Sequence, residues 1–140
     1  MYTVEEFDKQ KTKVLKYIMF KKRTENEIRT KFRLQIEEYM LDDIIEYLKE
    51  AGYINDYSFI VKQVNEYMNL KNMSIQEIKY KLVVKGIERK LIEKYIKDNQ
   101  EELEEYEKKS AKNIKIKKTG QMDEQEIKQY LYKKGYKVEI

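Results

Sequence analysis

The sequence predicts an all-α protein built from tandem repeats of one small helical unit. A short phrase that begins with Thr24, Ser74 or Asp123 occurs three times, at spacings of 50 and then 49 residues. Each copy places a Glu three positions after a residue that accepts a hydrogen bond, and this capping box starts a helix. The chain of 140 residues has no proline and only four glycines, so few positions interrupt helices. Such a period indicates an array, and arrays usually present binding surfaces rather than catalytic pockets.

The first repeat, residues 1–54, is predicted to contain three helices. The first helix covers residues 4–19, the second begins at the Thr24 cap, and the third covers residues 38–50. Gly52 then ends the third helix as a left-handed C-terminal cap. The apolar residues of the first helix follow the helical spacing: Val4, Phe7, Val14, Leu15 and Ile18.

The second repeat, residues 55–99, has the same predicted organisation. Asp56 is a favourable residue for the N-cap of its first helix. Ser74 begins the second helix, which ends at Gly86, and the third helix covers residues 88–98. The first two repeats are therefore complete three-helix units.

The third repeat, residues 100–140, is shorter. Its acidic stretch 101–107 passes directly into the basic stretch 108–118, and this order of charges suits the dipole of one long helix. A second helix starts at the Asp123 cap, and a third helix is missing. The repeat is truncated, as end units of arrays often are.

Composition excludes several classes of site. The chain has no cysteine and no histidine, which removes thiol nucleophiles, imidazole bases and the usual zinc ligands. The sequence therefore predicts no enzymatic activity, no cofactor and no metal. No apolar run approaches the roughly 20 residues that span a bilayer, and the N-terminus does not have the form of a secretion signal. We expect a cytoplasmic monomer without membrane contacts.

The apolar residues of the three capping phrases are predicted to be core residues, because capping with i, i+4 spacing places them on one buried face. They are Ile28, Phe32, Ile78, Leu82, Ile127 and Leu131. Most of the thirteen tyrosines are expected at the margins of the core, with stacking on nucleotide bases as the alternative. The tyrosines with apolar neighbours are Tyr39, Tyr47, Tyr67, Tyr95 and Tyr106.

Charge is distributed unevenly along the chain, although the formal net charge is only +4. Residues 9–33 contain ten Lys or Arg and two Glu, whereas residues 34–59 contain seven acidic residues and one Lys. Two sets of cations are candidates for partner binding. The first set is Lys21, Lys22, Arg23, Arg29, Lys31 and Arg33, and the second is Lys79, Lys81, Lys85 and Arg89. Such sets bind phosphates or acidic patches of a protein, or they are simply solvated faces.

Residues 48–59, 77–78 and 81–87 together resemble the central repeat of the RecX family of bacterial recombination regulators. The shared pattern is a glycine-ended helix, an aspartate followed three residues later by an aromatic residue, and a segment that ends in Lys85, Gly86 and Ile87. The resemblance implies an elongated, curved, right-handed array of three-helix repeats. It also implies binding to the RecA recombinase filament on single-stranded DNA, with restraint of filament extension, ATP hydrolysis and strand exchange.

Two other functions stay open. A three-helix unit with a basic second helix is similar to a helix-turn-helix, so the protein could bind single- or double-stranded DNA directly, without RecA. Against this, Glu27, Glu77 and Glu126 lie on those second helices, where they oppose the approach of phosphates. A scaffold for an unknown partner is the third possibility.

Overall fold

The computed structural model describes residues 1–137, and its regular elements are eight α-helices. In chain order they are α1 (Val4–Phe20), α2 (Glu25–Phe32), α3 (Glu38–Glu50), α4 (Asp56–Leu70), α5 (Ile75–Val84), α6 (Arg89–Asp98), α7 (Gln100–Lys118) and α8 (Glu124–Lys134). The predicted all-α class is confirmed, and each predicted helix is present. No helix within residues 1–137 is both long and apolar enough to cross a bilayer.

The chain forms two compact units. Unit 1 consists of residues 1–59 and 85–87, and unit 2 of residues 60–84 and 88–140. The predicted division into three repeats, with boundaries after residues 54 and 99, stays a prediction.

In unit 1, α1, α2 and α3 enclose an apolar core. Its buried residues are Val14, Ile18, Ile28, Phe32, Ile36, Met40, Leu41, Ile44, Ile45, Leu48 and Ile54. The predicted stripe of α1 is correct except at Val4, whose side chain is 76% exposed. Val4 is the first residue of the helix, directly after the Thr3 cap, and its apolar side chain stays in solvent.

Asp56 corrects another prediction, because it does not cap its own helix. Asn55 does so instead, since its Oδ1 accepts the N–H of Ser58 at 3.0 Å. Asp56 lies in the first turn of α4, and its Oδ1 accepts the N–H of Glu25 at 3.1 Å. The N–H of Glu25 lies in the first turn of α2 and has no intrahelical acceptor. Asp56 therefore connects the starts of two helices that are distant in sequence.

Thr24 and Ser74 confirm the first two predicted capping boxes, and both are fully buried. Each hydroxyl oxygen accepts the N–H of the Glu three residues later, at 3.1 Å. Each hydroxyl also donates its proton to a distant carbonyl. Thr24 Oγ1 donates to Lys85 O at 3.1 Å within unit 1, and Ser74 Oγ donates to Lys134 O at 2.6 Å within unit 2. One side chain thus supplies both an acceptor and a donor.

A glycine in the left-handed conformation follows each of these carbonyls. Gly86 has φ +85° and Gly135 has φ +95°. A Cβ atom on Gly86 would lie 2.4 Å from Cβ of Asn26, and one on Gly135 would lie 2.9 Å from Cβ of Gln76. Glycine is therefore required at both positions for two reasons. The backbone conformation is left-handed, and the residue packs closely on the first turn of a helix, α2 for Gly86 and α5 for Gly135.

Asp123 makes the third capping box, but its surroundings differ. Its carboxylate accepts the N–H of Glu126 at 2.8 Å, and the residue is exposed. An ionised carboxylate has no proton to donate, so Asp123 cannot form the second bond that Thr24 and Ser74 make.

In unit 2, α7 places polar side chains inside the fold. Tyr106 donates its hydroxyl proton to Met73 O at 2.7 Å, and Ser110 donates to Lys71 O at 3.0 Å. The hydroxyl of Tyr136 lies 2.6 Å from Ser110 Oγ. Because Ser110 has used its single proton, Tyr136 is the donor in that pair. These bonds attach α7 to the connection before α5 and to the turn after α8.

The predicted core residues of the capping phrases are all buried, which confirms that expectation. The tyrosines are divided. Tyr95 and Tyr106 are buried, and Tyr67 is partly buried, whereas Tyr39 and Tyr47 are 43% and 49% exposed. Tyr95 and Tyr106 are therefore core residues, whereas the sequence predicted them at the margin of the core.

Glu107 is a buried acid on α7 whose protonation should affect stability. Its side chain is 5% exposed, and burial raises the pKa of its carboxyl although the N–H of Lys137 donates to Oε1 at 3.1 Å. Since the folded pKa is above the unfolded one, Glu107 binds more protons in the folded state between these two pKa values. The contribution of Glu107 to the free energy of unfolding therefore falls as pH rises from the unfolded pKa to the folded pKa, and it stays low at higher pH.

We expect Glu107→Gln to raise the unfolding temperature at neutral pH, because the amide oxygen can still accept the Lys137 N–H without a buried charge. The gain should shrink below the unfolded pKa of Glu, where the wild-type carboxyl is already neutral. Thermal unfolding followed by circular dichroism at a series of pH values measures both effects. Glu105→Gln, which neutralises an exposed acid on the same helix, is the control and should change little. An equal gain at all pH values would contradict the role assigned to burial.

Candidate partner-binding surface

The connection between α1 and α2 carries three consecutive cations, Lys21, Lys22 and Arg23. It begins where Lys21 leaves α1 in an extended conformation, and it ends at the buried Thr24 cap. The guanidinium carbon of Arg23 lies 4.2 Å from the centre of the Tyr17 ring. The Lys31 ammonium lies 5.7 Å from the same ring centre, so two of the predicted cations share one aromatic residue of α1.

Lys22 and Lys85 approach the same pair of residues in α4. Lys22 Nζ donates to Ser58 Oγ at 2.6 Å, and Lys85 Nζ lies 5.6 Å from the centre of the Phe59 ring. Lys85 reaches this position because its backbone carbonyl accepts the Thr24 hydroxyl. Two cations that the sequence assigns to different repeats therefore contact adjacent residues of α4 within unit 1.

Arg29 is engaged in ion pairs inside unit 1. Its Nε lies 3.1 Å from Glu25 Oε2, and its Nη1 also pairs with Asp42. The hydrogen bond to Asp42, aided by Glu25, raises the pKa of the Arg29 guanidinium and outweighs the opposing effect of partial burial. Its charge is offset locally, and its position favours a structural role.

Glu25 is the centre of this ion-pair group. Burial opposes its ionisation, but its hydrogen bonds to Lys49 and Arg29 are stronger in sum, and the pKa of the Glu25 carboxyl lies below its ordinary value.

Among the first predicted set, Lys21, Lys31 and Arg33 are exposed. Within residues 1–137 these three cations form no ion pair, so they can contact a partner without breaking one there.

The second predicted set does not form one cluster in a single unit. Lys85 belongs to unit 1, whereas Lys79, Lys81 and Arg89 belong to unit 2. Lys79 pairs with Glu93 at 2.6 Å, and Lys81 Nζ lies 5.9 Å from the centre of the Tyr67 ring. Arg89 is exposed at the start of α6. Their role in binding stays a prediction.

Sequence reasoning missed the residues that position these cations, namely Tyr17, Ser58 and Phe59. The sequence contains a signal for Ser58. Asn55 lies three residues before it, is a favourable N-cap residue and caps α4 in place of Asp56. Tyr17 gave no such signal, since its contact with Arg23 depends on the conformation of the connection.

The chemistry of this surface is that of anion recognition. It presents ammonium and guanidinium groups beside aromatic rings and one hydroxyl. Among residues 1–137, no three carboxylates lie close enough together to hold a metal ion. The arrangement can bind phosphates or carboxylates through charge and hydrogen bonds.

No family model matches the chain. It is 31% identical over 143 residues to the regulatory protein RecX of Clostridium beijerinckii, an alignment that covers 97% of this chain and 66% of that protein. It is 34% identical over 85 residues to the regulatory protein RecX of Finegoldia magna, covering 60% of this chain and 42% of that protein. The chain therefore spans less than the full length of the curated relatives that it matches.

Solved structures show the same relationship. The crystal structure of RecX from Lactobacillus salivarius superposes with a TM-score of 0.80 at 25% identity, over 97% of this chain and 92% of that one. A second RecX crystal structure has a TM-score of 0.76 at 24% identity, over 94% of this chain and 69% of that one, and supports the fold. The sequence matches and the shared helical fold agree, and the chain belongs to the RecX family of regulatory proteins.

Proposed function

We propose that this protein is a non-enzymatic regulator of homologous recombination, which binds the RecA filament on single-stranded DNA and inhibits its ATPase and strand exchange. The observation that carries the proposal is the cation surface of unit 1 in a chain of the RecX family. Lys21, Lys31 and Arg33 are exposed there, Lys22 and Arg23 follow Lys21 in the chain, and Arg23 and Lys31 both lie over the Tyr17 ring. The backbone carbonyl of Lys85 accepts the hydroxyl of Thr24, the residue after Arg23.

The mechanism that this surface supports is multivalent. A filament repeats the same acidic and phosphate groups along its length, and a chain with cations in both units can contact several of them at once. Several weak contacts made together give tight binding through high effective concentration. Simultaneous contact with neighbouring RecA protomers would restrain the conformational changes that accompany ATP hydrolysis.

The experiment that tests the function is a titration of the DNA-dependent ATPase of the cognate RecA on single-stranded DNA. Suppression at well below one protein per RecA is the expected result, because one bound chain should affect several protomers. An unchanged ATPase, with RecA active and this protein folded, would rule the proposal out and favour direct DNA binding without RecA.

A charge-reversal variant tests the surface itself. Lys21→Glu, Lys31→Glu and Arg33→Glu together should weaken inhibition of the RecA ATPase by about tenfold or more, since they reverse three exposed charges. Arg29 is left unchanged, because it holds Glu25 and Asp42. The matched control is Lys9→Glu, Lys13→Glu and Lys16→Glu, which changes the net charge equally on exposed positions of α1. Equal losses in both variants would show that net charge, and not this surface, controls inhibition.

A further inference from the structure

The outer face of α8 carries an exposed aromatic ring between two cations. Five exposed residues follow the helical spacing i, i+3, i+4, i+7 and i+8 and so lie on one face. They are Gln125, Lys128, Gln129, Tyr132 and Lys133. The Tyr132 side chain is 81% exposed, and that of Tyr80 on α5 is 70% exposed, whereas Tyr95, Tyr106 and Tyr136 are buried.

Lys128, Gln129, Tyr132 and Lys133 also line a shallow, open depression of about 640 Å³. The depression has the dimensions of a surface groove rather than an enclosed pocket. Its lining offers one ring face, two ammonium groups and one amide. None of these four residues belongs to the apolar cluster of unit 2 that is formed by Ala111, Ile114, Ile127, Leu131 and Tyr136.

Lys118 and Lys134 lie on the opposite side of α8, where their ammonium groups are 5.1 Å and 5.7 Å from the centre of the Tyr130 ring. Tyr130 packs against an apolar cluster of unit 2, and Lys134 also pairs with Glu77 at 3.5 Å. Lys118 ends a stretch, residues 108–118, that contains six Lys and no acidic residue. Glu126 is the acid nearest in sequence to the centre of the face, and its carboxylate is engaged in the capping box with Asp123 N at 3.1 Å. Three acids, Asp123, Glu124 and Glu126, balance the three lysines of α8, but the outer face itself carries two cations and no acidic residue.

We propose that the outer face of α8 binds single-stranded nucleic acid, with a base stacked on Tyr132 and the flanking phosphates paired with Lys128 and Lys133. An exposed ring favours a single strand over a duplex, because the base faces of a duplex are occupied by stacking. Gln129 offers an amide that can donate and accept hydrogen bonds at the edge of the stacked base. This site is distinct from the cations of unit 1 and requires no RecA.

Binding is tested with fluorescently labelled oligothymidylate of about 12 nucleotides, by anisotropy, with the full chain at low salt. Tyr132→Ala should weaken binding about 5- to 140-fold, the range expected for the loss of one stacked base. Tyr132→Phe retains the ring and should bind like the wild type. Tyr80→Ala removes an exposed tyrosine of α5 and is the matched control, which should have no effect.

A tryptophan reporter separates stacking from charge. The chain has no Trp, so Tyr132→Trp introduces the sole indole, and Tyr80→Trp does the same on α5. Oligothymidylate should quench the indole at position 132 and leave the indole at position 80 unchanged. Polyphosphate, an anion without bases, should bind without quenching.

Lys128→Gln with Lys133→Gln should reduce the slope of log K against log salt by about 1.4, which corresponds to two phosphate contacts on a single strand.

Three results would overturn the proposal. They are no binding of oligothymidylate at low salt, binding that Tyr132→Ala does not weaken, and equal affinity for duplex without quenching at position 132. Because the assay contains no RecA, failure here leaves the proposed regulation of RecA intact, and failure of the ATPase test leaves this site intact.

Discussion

Ser74→Ala is expected to destabilise unit 2 by about 2 to 4 kcal/mol, far more than the loss of an ordinary cap. The hydroxyl of Ser74 is fully buried, accepts the Glu77 N–H at 3.1 Å and donates to Lys134 O at 2.6 Å. Alanine leaves a buried donor and a buried acceptor without partners, and each costs free energy because water cannot replace the bond. Urea unfolding followed by circular dichroism measures the loss.

The matched control for this substitution is Asp123→Ala. Asp123 makes the same capping box on α8 but is exposed, so its loss should cost about 1 kcal/mol. Ser74→Thr keeps both the donor and the acceptor and should restore most of the stability. If Ser74→Ala and Asp123→Ala lowered the unfolding free energy equally, the bond to Lys134 O would have no energetic role.

Gly86→Ala is the second substitution with a large expected effect, a loss of about 2 to 4 kcal/mol in unit 1. Two costs add. The backbone has φ +85°, which disfavours any residue with a Cβ, and that Cβ would lie 2.4 Å from Cβ of Asn26. Because Cβ of Asn26 is fixed to the backbone of α2, side-chain rotation cannot relieve the overlap. Urea unfolding again measures the effect.

Gly52→Ala separates the two costs. Gly52 has φ +84°, almost the same conformation, and among residues 1–137 no atom beyond its chain neighbours lies within 4 Å of an added Cβ. It should lose only about 1 to 2 kcal/mol, from backbone strain. In unit 2, Gly135→Ala should likewise cost more than Gly120→Ala, whose φ of +97° matches but whose surroundings are open. Equal losses within each pair would show that strain alone matters.

The two substitutions examine the same kind of contact, Ser74→Ala from the side of the cap in unit 2 and Gly86→Ala from the side of the glycine in unit 1. In both units a buried hydroxyl begins a helix, and it donates to a carbonyl whose following glycine packs on that helix. Only a small residue in the left-handed conformation brings this carbonyl close enough to the cap. Asp123 shows the contrast, since it retains the cap but cannot donate. The cap residue thus decides whether a helix start can bind a second segment.

The candidate surface was predictable in part. The charge segregation along the chain identified Lys21, Lys31 and Arg33, which the structure places in solvent. It did not distinguish them from Arg29, which is held by Glu25 and Asp42. The exposure of a cation depends on which side chains of other helices pack against it. A count of charges along the sequence does not contain that information. Tyr132 was missed for the same reason, because its neighbours in sequence resemble those of a tyrosine at a core margin.

By itself, the sequence determined where helices begin, where they end and which faces are apolar. The capping boxes at Thr24, Ser74 and Asp123 and the helical spacing of apolar residues act over three or four positions, and such local interactions can be read from one segment. The tertiary structure alone decided that Asp56 binds the start of α2 and that Thr24 and Ser74 donate to carbonyls 61 and 60 residues away. It also brought Lys22 to Ser58 and Lys85 to Phe59, two adjacent residues of α4. These contacts follow from how helices pack, and packing is set by the whole core rather than by any one segment.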